Sequence, residues 1–427
     1  MKFKQSKEKN RQVSLDVDLD DKDLEPYYKI GYKKLVKKIT IPGFRKGKAP
    51  YHIIESQYGK ETILSEALDN ILSDKTSEAI KESSLESYMP PKIELKNFNP
   101  IKFTIILPLQ PKIALGEINK IKLKKMKGPD FESLIDEQIN NLQKQFTNWI
   151  PSSEKAQSGE LISINIKIEI NGNTVLDQKN TDIILEEQND EFAPGLIKNL
   201  IGLKERDSKN LNLKISKNHP SSEMANNKAN FNITVNSVKK SDSPKLDANF
   251  AKMVSNNEIK TMNSLRKKVK TSVEENHKQQ SEYEYQNNAI NELIKISNIE
   301  LPPLMIERET QNEIEQLENL AKRFKMTLEE YLTKNNQNLD ETKKNIEIET
   351  LQKLNRTFTL LEVCKQNNIT PTEQELSEAE KNLITQQSNN KNSPKLSKEE
   401  VRMEAEYKLK LEKASKYLYQ ETLENVV

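Results

Sequence analysis

The sequence predicts a multidomain α+β protein: an N-terminal α+β domain, a small antiparallel β-rich domain and an elongated all-α C-terminal domain. Three observations predict it. The 427 residues exceed the ~150 of an ordinary domain, yet only 34% are hydrophobic, against ~45–50% in globular chains. So little apolar material disfavours one large sphere and favours helix-rich parts with much wetted surface. Apolar and polar residues alternate around 13–19, 101–107 and 162–170, the period of half-buried strands, whereas from 241 onward apolar residues recur at helical spacing. Charge adds a limit: 67 Lys+Arg against 65 Asp+Glu leave +2. That balance argues against full disorder and against a surface that coats nucleic acid throughout.

Residues 1–112 open and close on strands. Val13, Leu15, Val17 and Leu19 form the first, and Ile101, Phe103, Ile105 and Leu107 the last, so the two are expected to pair. Leu24–Ile39, Tyr51–Tyr58 and Ile63–Ile80 read as helices between them. Pro108 to Pro111 marks a boundary, and residues 113–151 supply a linker and a helix packing with the C-terminal body. Phe131, Leu134, Ile135, Leu142, Phe146 and Trp149 fit one stripe of that helix, entered at Gly128-Pro129 and ended at Pro151. In 152–240, Ile162, Ile164, Ile166, Ile168 and Ile170 alternate strictly and run into Asn171-Gly172, a strong hairpin signal. Leu211, Leu213 and Ile215 give a further strand, and Phe231, Ile233 and Val235 another. Residues 241–427 show no credible strand. Their helices carry thin seams such as Ile314, Leu317, Leu320, Ala321 and Phe324, and three starts match capping boxes: Thr327 with Glu330, Thr370 with Glu373, and Ser397 with Glu400.

Cys364 is the single cysteine, so no intrachain disulfide can form; its apolar neighbours at helical spacing read it as a small buried hydrophobe. The charged N-terminus lacks the apolar run of a signal peptide, and no stretch approaches the ~18 apolar residues of a membrane span. A cytosolic chain without membrane partners is expected. His52, His219 and His277 lie far apart, which disfavours a structural zinc; no metal and no cofactor is expected.

The densest motif is Ile41-Pro-Gly-Phe-Arg-Lys-Gly-Lys-Ala-Pro50, whose two glycines and two prolines force a tight exposed connector between helices. From Pro26 to Lys60 there are nine Lys or Arg and one acid, Glu55, a local +8. A solvated basic turn and a phosphate-binding surface both fit that field. A nucleotide-binding P-loop does not, because Gly43 to Lys48 is one residue short and lacks the closing Ser/Thr.

This motif, with Tyr58-Gly59 and Glu66-Ala67-Leu68 after it, resembles the trigger factor family of bacterial ribosome-associated chaperones, and the order of the three regions fits along essentially the whole chain. The resemblance implies a ribosome-binding N-terminal domain in which Gly43, Phe44, Arg45, Lys46, Gly47 and Lys48 dock on protein and ribosomal RNA beside the exit tunnel. It implies an ATP-independent chaperone that holds nascent polypeptides, cytoplasmic and partly ribosome-bound, and it leaves the free chain's state open, a homodimer included. Met253, Met262, Met305 and Met326 are adaptable client-contact candidates or ordinary packing residues.

Residues 152–240 are similar to the family's FKBP-like prolyl isomerase domain. Such a site needs no acid or base, only a dry pocket that favours the twisted amide over the planar one, across a barrier of ~18–20 kcal/mol. Phe192-Ala-Pro-Gly-Leu196 matches the family's Phe-Ile-Pro-Gly-Phe, with Ala193 and Leu196 replacing Ile and an aromatic. Ile166 and Val175 stand where aromatics are usual, Asn165 where an Asp is, and His219 where a Tyr is. The resemblance implies isomerase activity at these positions, and the missing rings predict a weak or absent one. A free-standing isomerase with substrate-recruiting or dimerising helical arms is the alternative, and an RNA-binding structural protein a third.

Overall fold

A computed structural model of the chain describes residues 1–124, 128–186, 190–217, 224–335, 337–389 and 396–423. They form two compact units. The first comprises Met1–Lys124, Tyr285–Leu320 and Lys343–Val427; the second comprises Lys125–Glu284 and Ala321–Thr342.

In the first unit an antiparallel sheet runs in the order Lys2–Gln5, Gln12–Asp18, Ile101–Pro108, Lys92–Phe98. The expected pairing of first and last strands is present, with Leu15 opposite Ile105 and Val17 opposite Phe103. Both edge strands escaped the sequence reading. Lys2–Gln5 has only four residues, and Lys92–Phe98 leaves Ile93 and Leu95 partly uncovered. Helix Asp21–Lys38 starts in a capping box in which Asp20 accepts from Asp23 N and Asp23 from Asp20 N. This helix and Leu68–Ser83 bury Leu24, Tyr27, Ile71 and Ala79 against Leu15, Phe103 and Ile105. Between them, helix Tyr51–Ser65 breaks at Gly59, whose φ of 80° is left-handed.

The rest of this unit is helical with one exception. Asn298–Glu300 pairs antiparallel with Lys112–Ala114, which corrects the strand-free reading of 241–427. Three residues are too few to show alternation, and only the distant partner makes them a strand. Ile121 and Leu123 share a core with Ala289, Leu293, Leu360, Val363, Ala414 and Leu418. Cys364 sits in that core at 5% exposure, donates to Lys410 O at 3.1 Å, and burial pushes its thiol pKa up, as a packing cysteine should behave.

Helices Glu373–Asn389 and Lys398–Thr422 form a hairpin. Ser397 with Glu400 and Thr327 with Glu330 make the expected capping boxes. The third box is Thr372 with Glu375, not Thr370 with Glu373. The sequence offers both registers, and Glu375 decides between them because Lys413 lies 2.8 Å from its carboxylate. That lysine first, and the Thr372 amide second, hold the Glu375 pKa at about 2. A depressed carboxylate pKa contributes stability above the ordinary value, lost as pH falls through the folded one. Protection of the first turn of Glu373–Asn389 against hydrogen exchange, relative to an unstructured peptide at the same pH, should therefore fall between about pH 5 and pH 2. Glu375→Gln should remove that pH dependence, and a profile unchanged by the substitution would contradict the assignment.

In the second unit, helix Phe131–Gln145 starts from an Asp130 cap and is clamped by Arg266, which reaches Glu132 at 2.6 Å and Asp136 at 2.5 Å. Phe146 caps its end, so Trp149 falls on strand Asn148–Ser152 and not on the helical stripe. Its neighbours pair with the end of Lys228–Asp242, Trp149 lying opposite Ser241, and this tertiary ladder outweighs the helical spacing. The sheet runs Asn148–Ser152, Lys228–Asp242, Leu161–Ile170, Asn173–Ile184, with Ser208–Lys214 also on Lys228–Asp242. Ile162, Ile164, Ile166 and Ile168 fill its core, each at 5% exposure or less. Asn171 and Gly172 turn the hairpin with φ of 50° and 83°, the pair of positive values that a type I′ turn requires. Of the four methionines named as client-contact candidates, Met305 in the first unit is buried and Met253 in the second is exposed. Met262 packs at an apolar cluster of the second unit, and Met326 is half-buried. No described helix is long and apolar enough to cross a membrane.

Candidate functional site

Two candidate sites take shape, one in each unit. In the first unit, the segment from Ile41 to Pro50 joins helices Asp21–Lys38 and Tyr51–Ser65 by two successive tight turns. Phe44 N donates to Ile41 O at 3.1 Å, and Lys48 N to Arg45 O at 2.9 Å. Each turn has a glycine at its third position, Gly43 at φ 86° and Gly47 at φ 81°, where other residues are strained. Pro42 pre-sets the position before Gly43. The ends are fastened: Ile41 and Ala49 are buried in a cluster with Leu35, Val36, Ile54 and Ile63. Tyr32 donates its hydroxyl to Ala49 O at 2.7 Å and meets Tyr51 edge-on, and burial pushes the Tyr51 phenol pKa up.

A pinned base holds the crown outward. Phe44 is 39% exposed, and Arg45, Lys46 and Lys48 are exposed beside it with no ion pair among the described residues. Phe44, Arg45, Lys46 and Lys48 thus stand on one loop with Gly43 and Gly47 as its bends. An exposed ring beside a guanidinium is the pairing that anchors protein interfaces, and free cations suit phosphate.

The helical pair beneath the loop is packed unusually closely. Gly31 is buried, and a Cβ there would lie 1.9 Å from the carbonyl oxygen of Ile63. The sequence motif did not include Gly31; its only signal was a glycine inside a helical pattern, where it costs ~1 kcal/mol against Ala.

The second site is a cleft of about 470 Å³ on the β-rich sheet of the second unit. Ile166, Phe192 and Leu196 line it, so three of the residues singled out from sequence converge there. Val175 instead packs half-buried on the core, and Ala193 is fully buried behind the surface. His219 lies outside the described residues. Leu176, Ile183, Ile184 and Ile197 complete the apolar wall, with Gln178, Thr181 and Asp182 as polar members. Phe192 is the one aromatic ring on that wall among the described residues, held edge-on to Phe231 at 6.0 Å.

Asp190 positions this wall, and sequence reasoning missed it. Its carboxylate accepts from Gly195 N at 2.7 Å and from Ile197 N at 2.8 Å, fixing the turn that presents Phe192 and Leu196. Asn165 does not line the cleft. Its side-chain oxygen accepts from Asn180 N at 3.0 Å and from Asn236 Nδ2 at 2.7 Å, tying together strand irregularities on both sides.

Comparison with known proteins bears on the family. The family model described as bacterial trigger factor protein matches residues 1–142, and that for the bacterial trigger factor C-terminus matches residues 261–420. The trigger factor of Moorella thermoacetica is 27% identical over 380 residues, 88% of this chain and 85% of that protein. A trigger factor of Dehalococcoides mccartyi is 27% identical over 393 residues, 92% and 87% of the two chains. A solved structure described as "Promiscuous Substrate Recognition in Folding and Assembly Activities of the Trigger Factor Chaperone" covers 98% of this chain and 99% of its own, at a TM-score of 0.47 and 19% identity. With both ends of the chain matched by models of one family, and relatives aligned over nearly nine-tenths of its length, this chain belongs to the trigger factor family of bacterial ribosome-associated chaperones.

Proposed function

We propose that this chaperone docks on the ribosome through Gly43–Lys48 and holds emerging polypeptides without ATP, in the cytoplasm. Residues 1–112 are the docking domain, 113–151 a linker with its helix, 152–240 the FKBP-like domain and 241–427 the client-binding helices. The single observation that carries docking is the pinned double turn, which offers an exposed Phe44 with Arg45 and Lys46, neither ion-paired among the described residues. Family membership makes the chaperone role primary and sets aside a free-standing isomerase. The helices also suit clients. Ile348, Leu351, Ile384, Met403 and Tyr407 are each exposed by 39% or more, scattered over three helices of the first unit. Scattered apolar spots hold unfolded segments by weak contacts without driving self-association. Ribosome co-sedimentation tests the reading: pelleting that altering the loop does not diminish would overturn it.

The cleft is proposed as a weak prolyl isomerase site, or one inactive altogether. Of the positions where rings are expected, Ile166 and Leu196 line the cleft, and a ring contact is worth ~1 kcal/mol beyond burial, or about fivefold each. Two such losses amount to about 25-fold. A proline-limited refolding assay with the full chain should show catalysis lower by about that factor than an FKBP-type enzyme whose pocket keeps its aromatics; equal rates would overturn the proposal.

A further inference from the structure

We infer that helix Asp21–Lys38 is itself an RNA-facing surface, on which Lys29, Lys33 and Lys37 form a ladder that grips the phosphate backbone of ribosomal RNA. This rests on the docking role proposed for the loop and adds a second contact surface beside it.

The ladder follows from helical geometry. One side of the helix buries Leu24, Tyr27, Gly31 and Leu35, and Val36 is buried at the border with the other side. At 100° per residue, Lys22, Pro26, Lys29, Lys33 and Lys37 fall within roughly 80° of the opposite side, and all five are exposed. The lysines around the flank have partners: Lys34 reaches Asn70 at 2.6 Å, and Lys38 reaches Glu66 at 2.6 Å. Among the described residues Lys29, Lys33 and Lys37 have none. The helix's acids gather at its other end, where Asp20 and Asp23 form the capping box and Asp21 and Glu25 lie alongside. Beyond Glu25 every charged residue of the helix is a lysine.

A bland explanation is the helix dipole, which favours cations in the last turn. It accounts for Lys37 and Lys38, but Lys33 and Lys29 stand about one and two turns further in. Steps of four residues raise successive ammonium groups by ~6 Å along the axis, so the three span ~12 Å on flexible stems. In sequence the ladder is followed, after a gap of six residues beyond the helix end, by Arg45, Lys46 and Lys48.

Residue type separates the partners. Protein interfaces are enriched in aromatics and Arg at their centres and depleted in Lys. The loop offers an exposed Phe44 and Arg45, whereas the ladder offers exposed lysines with Pro26 among them and a half-buried Tyr28 next to Lys29, which suits a backbone of point charges. A-form RNA is bound chiefly through its shape, phosphates and sugars, so no base-reading group is required.

The experiment uses the full chain and purified ribosomes. Changing Lys29, Lys33 and Lys37 together to Gln keeps side-chain length and helix propensity, and unchanged melting and helix content would confirm the fold. The slope of log affinity against log salt should shrink by roughly 2 to 2.7, at ~0.7–0.9 per phosphate contact. At ~0.1 M salt the same arithmetic predicts binding weaker by about a hundredfold. Changing all three to Arg should restore both. A photo-crosslinking residue in place of Lys33 should react with ribosomal RNA; reaction with ribosomal protein alone would assign the ladder to a protein and overturn the inference. An unchanged slope in the triple Gln variant would also overturn it, while loss of binding in a loop variant would still support docking. Undiminished binding of the loop variant would instead sink the docking reading itself.

Discussion

Replacing Phe44, Arg45 and Lys46 by Ala, Glu and Glu is expected to abolish co-sedimentation with ribosomes. Aromatic and Arg anchors at interface centres cost ~2–4 kcal/mol each when removed. Two such losses weaken binding by roughly a thousandfold or more, and the two charge reversals add repulsion from nearby phosphate. The fold should be indifferent, because all three side chains are exposed and the turns are set by Gly43 and Gly47. Two charge reversals at the exposed Lys252 and Lys260 form the control, and ribosome binding of that variant should stay near wild type. Pelleting of the loop variant equal to wild type would mean that the exposed crown is not the docking element.

The second large effect is structural and reaches the same site. Gly31→Ala places a methyl group 1.9 Å from Ile63 O, a backbone atom that no rotamer change can clear. Overpacking of this kind costs ~1–3 kcal/mol where side chains can yield, and a rigid backbone partner places the cost at about 3 kcal/mol or more. A thermal scan should show the transition lowered by roughly 6–12 °C, and ribosome affinity should fall as the two helices that carry the loop are wedged apart. Gly59→Ala is the informative contrast. Nothing lies within 4 Å of its Cβ, but its φ of 80° is left-handed, so the cost is the ~1–2 kcal/mol of that conformation alone. A Gly31→Ala chain as stable as wild type would refute the close contact.

The features legible in the sequence are those whose cause is local. The double turn could be read because proline and glycine impose backbone angles at fixed offsets, and the Ile162–Ile170 strand because each residue's burial follows the pleat. What could not be read depends on partners remote in sequence. Asn298–Glu300 is a strand because of Lys112–Ala114, and Trp149 leaves its helical stripe because Ser241 lies across from it. Thr372 outcompetes Thr370 as a cap because Lys413 favours Glu375. The cleft was half legible: the Phe192–Leu196 turn stood out, whereas the Asp190 carboxylate that holds it and the Leu176 opposite are placed by the fold.

The pairing of Lys112–Ala114 with Asn298–Glu300, and the core that joins Ile121 to Leu418, carry a consequence for how this protein is made. A ribosome produces residue 418 long after residue 121. During that interval Ile121 and Leu123 are without the partners that bury them, and the apolar faces awaiting the last helix are open to any passing chain. Translation delivers the pieces in order, but this core closes only at the end. The chaperone is therefore, for most of its own synthesis, a polypeptide of the kind it guards, and copies already at work are the natural custodians of the next.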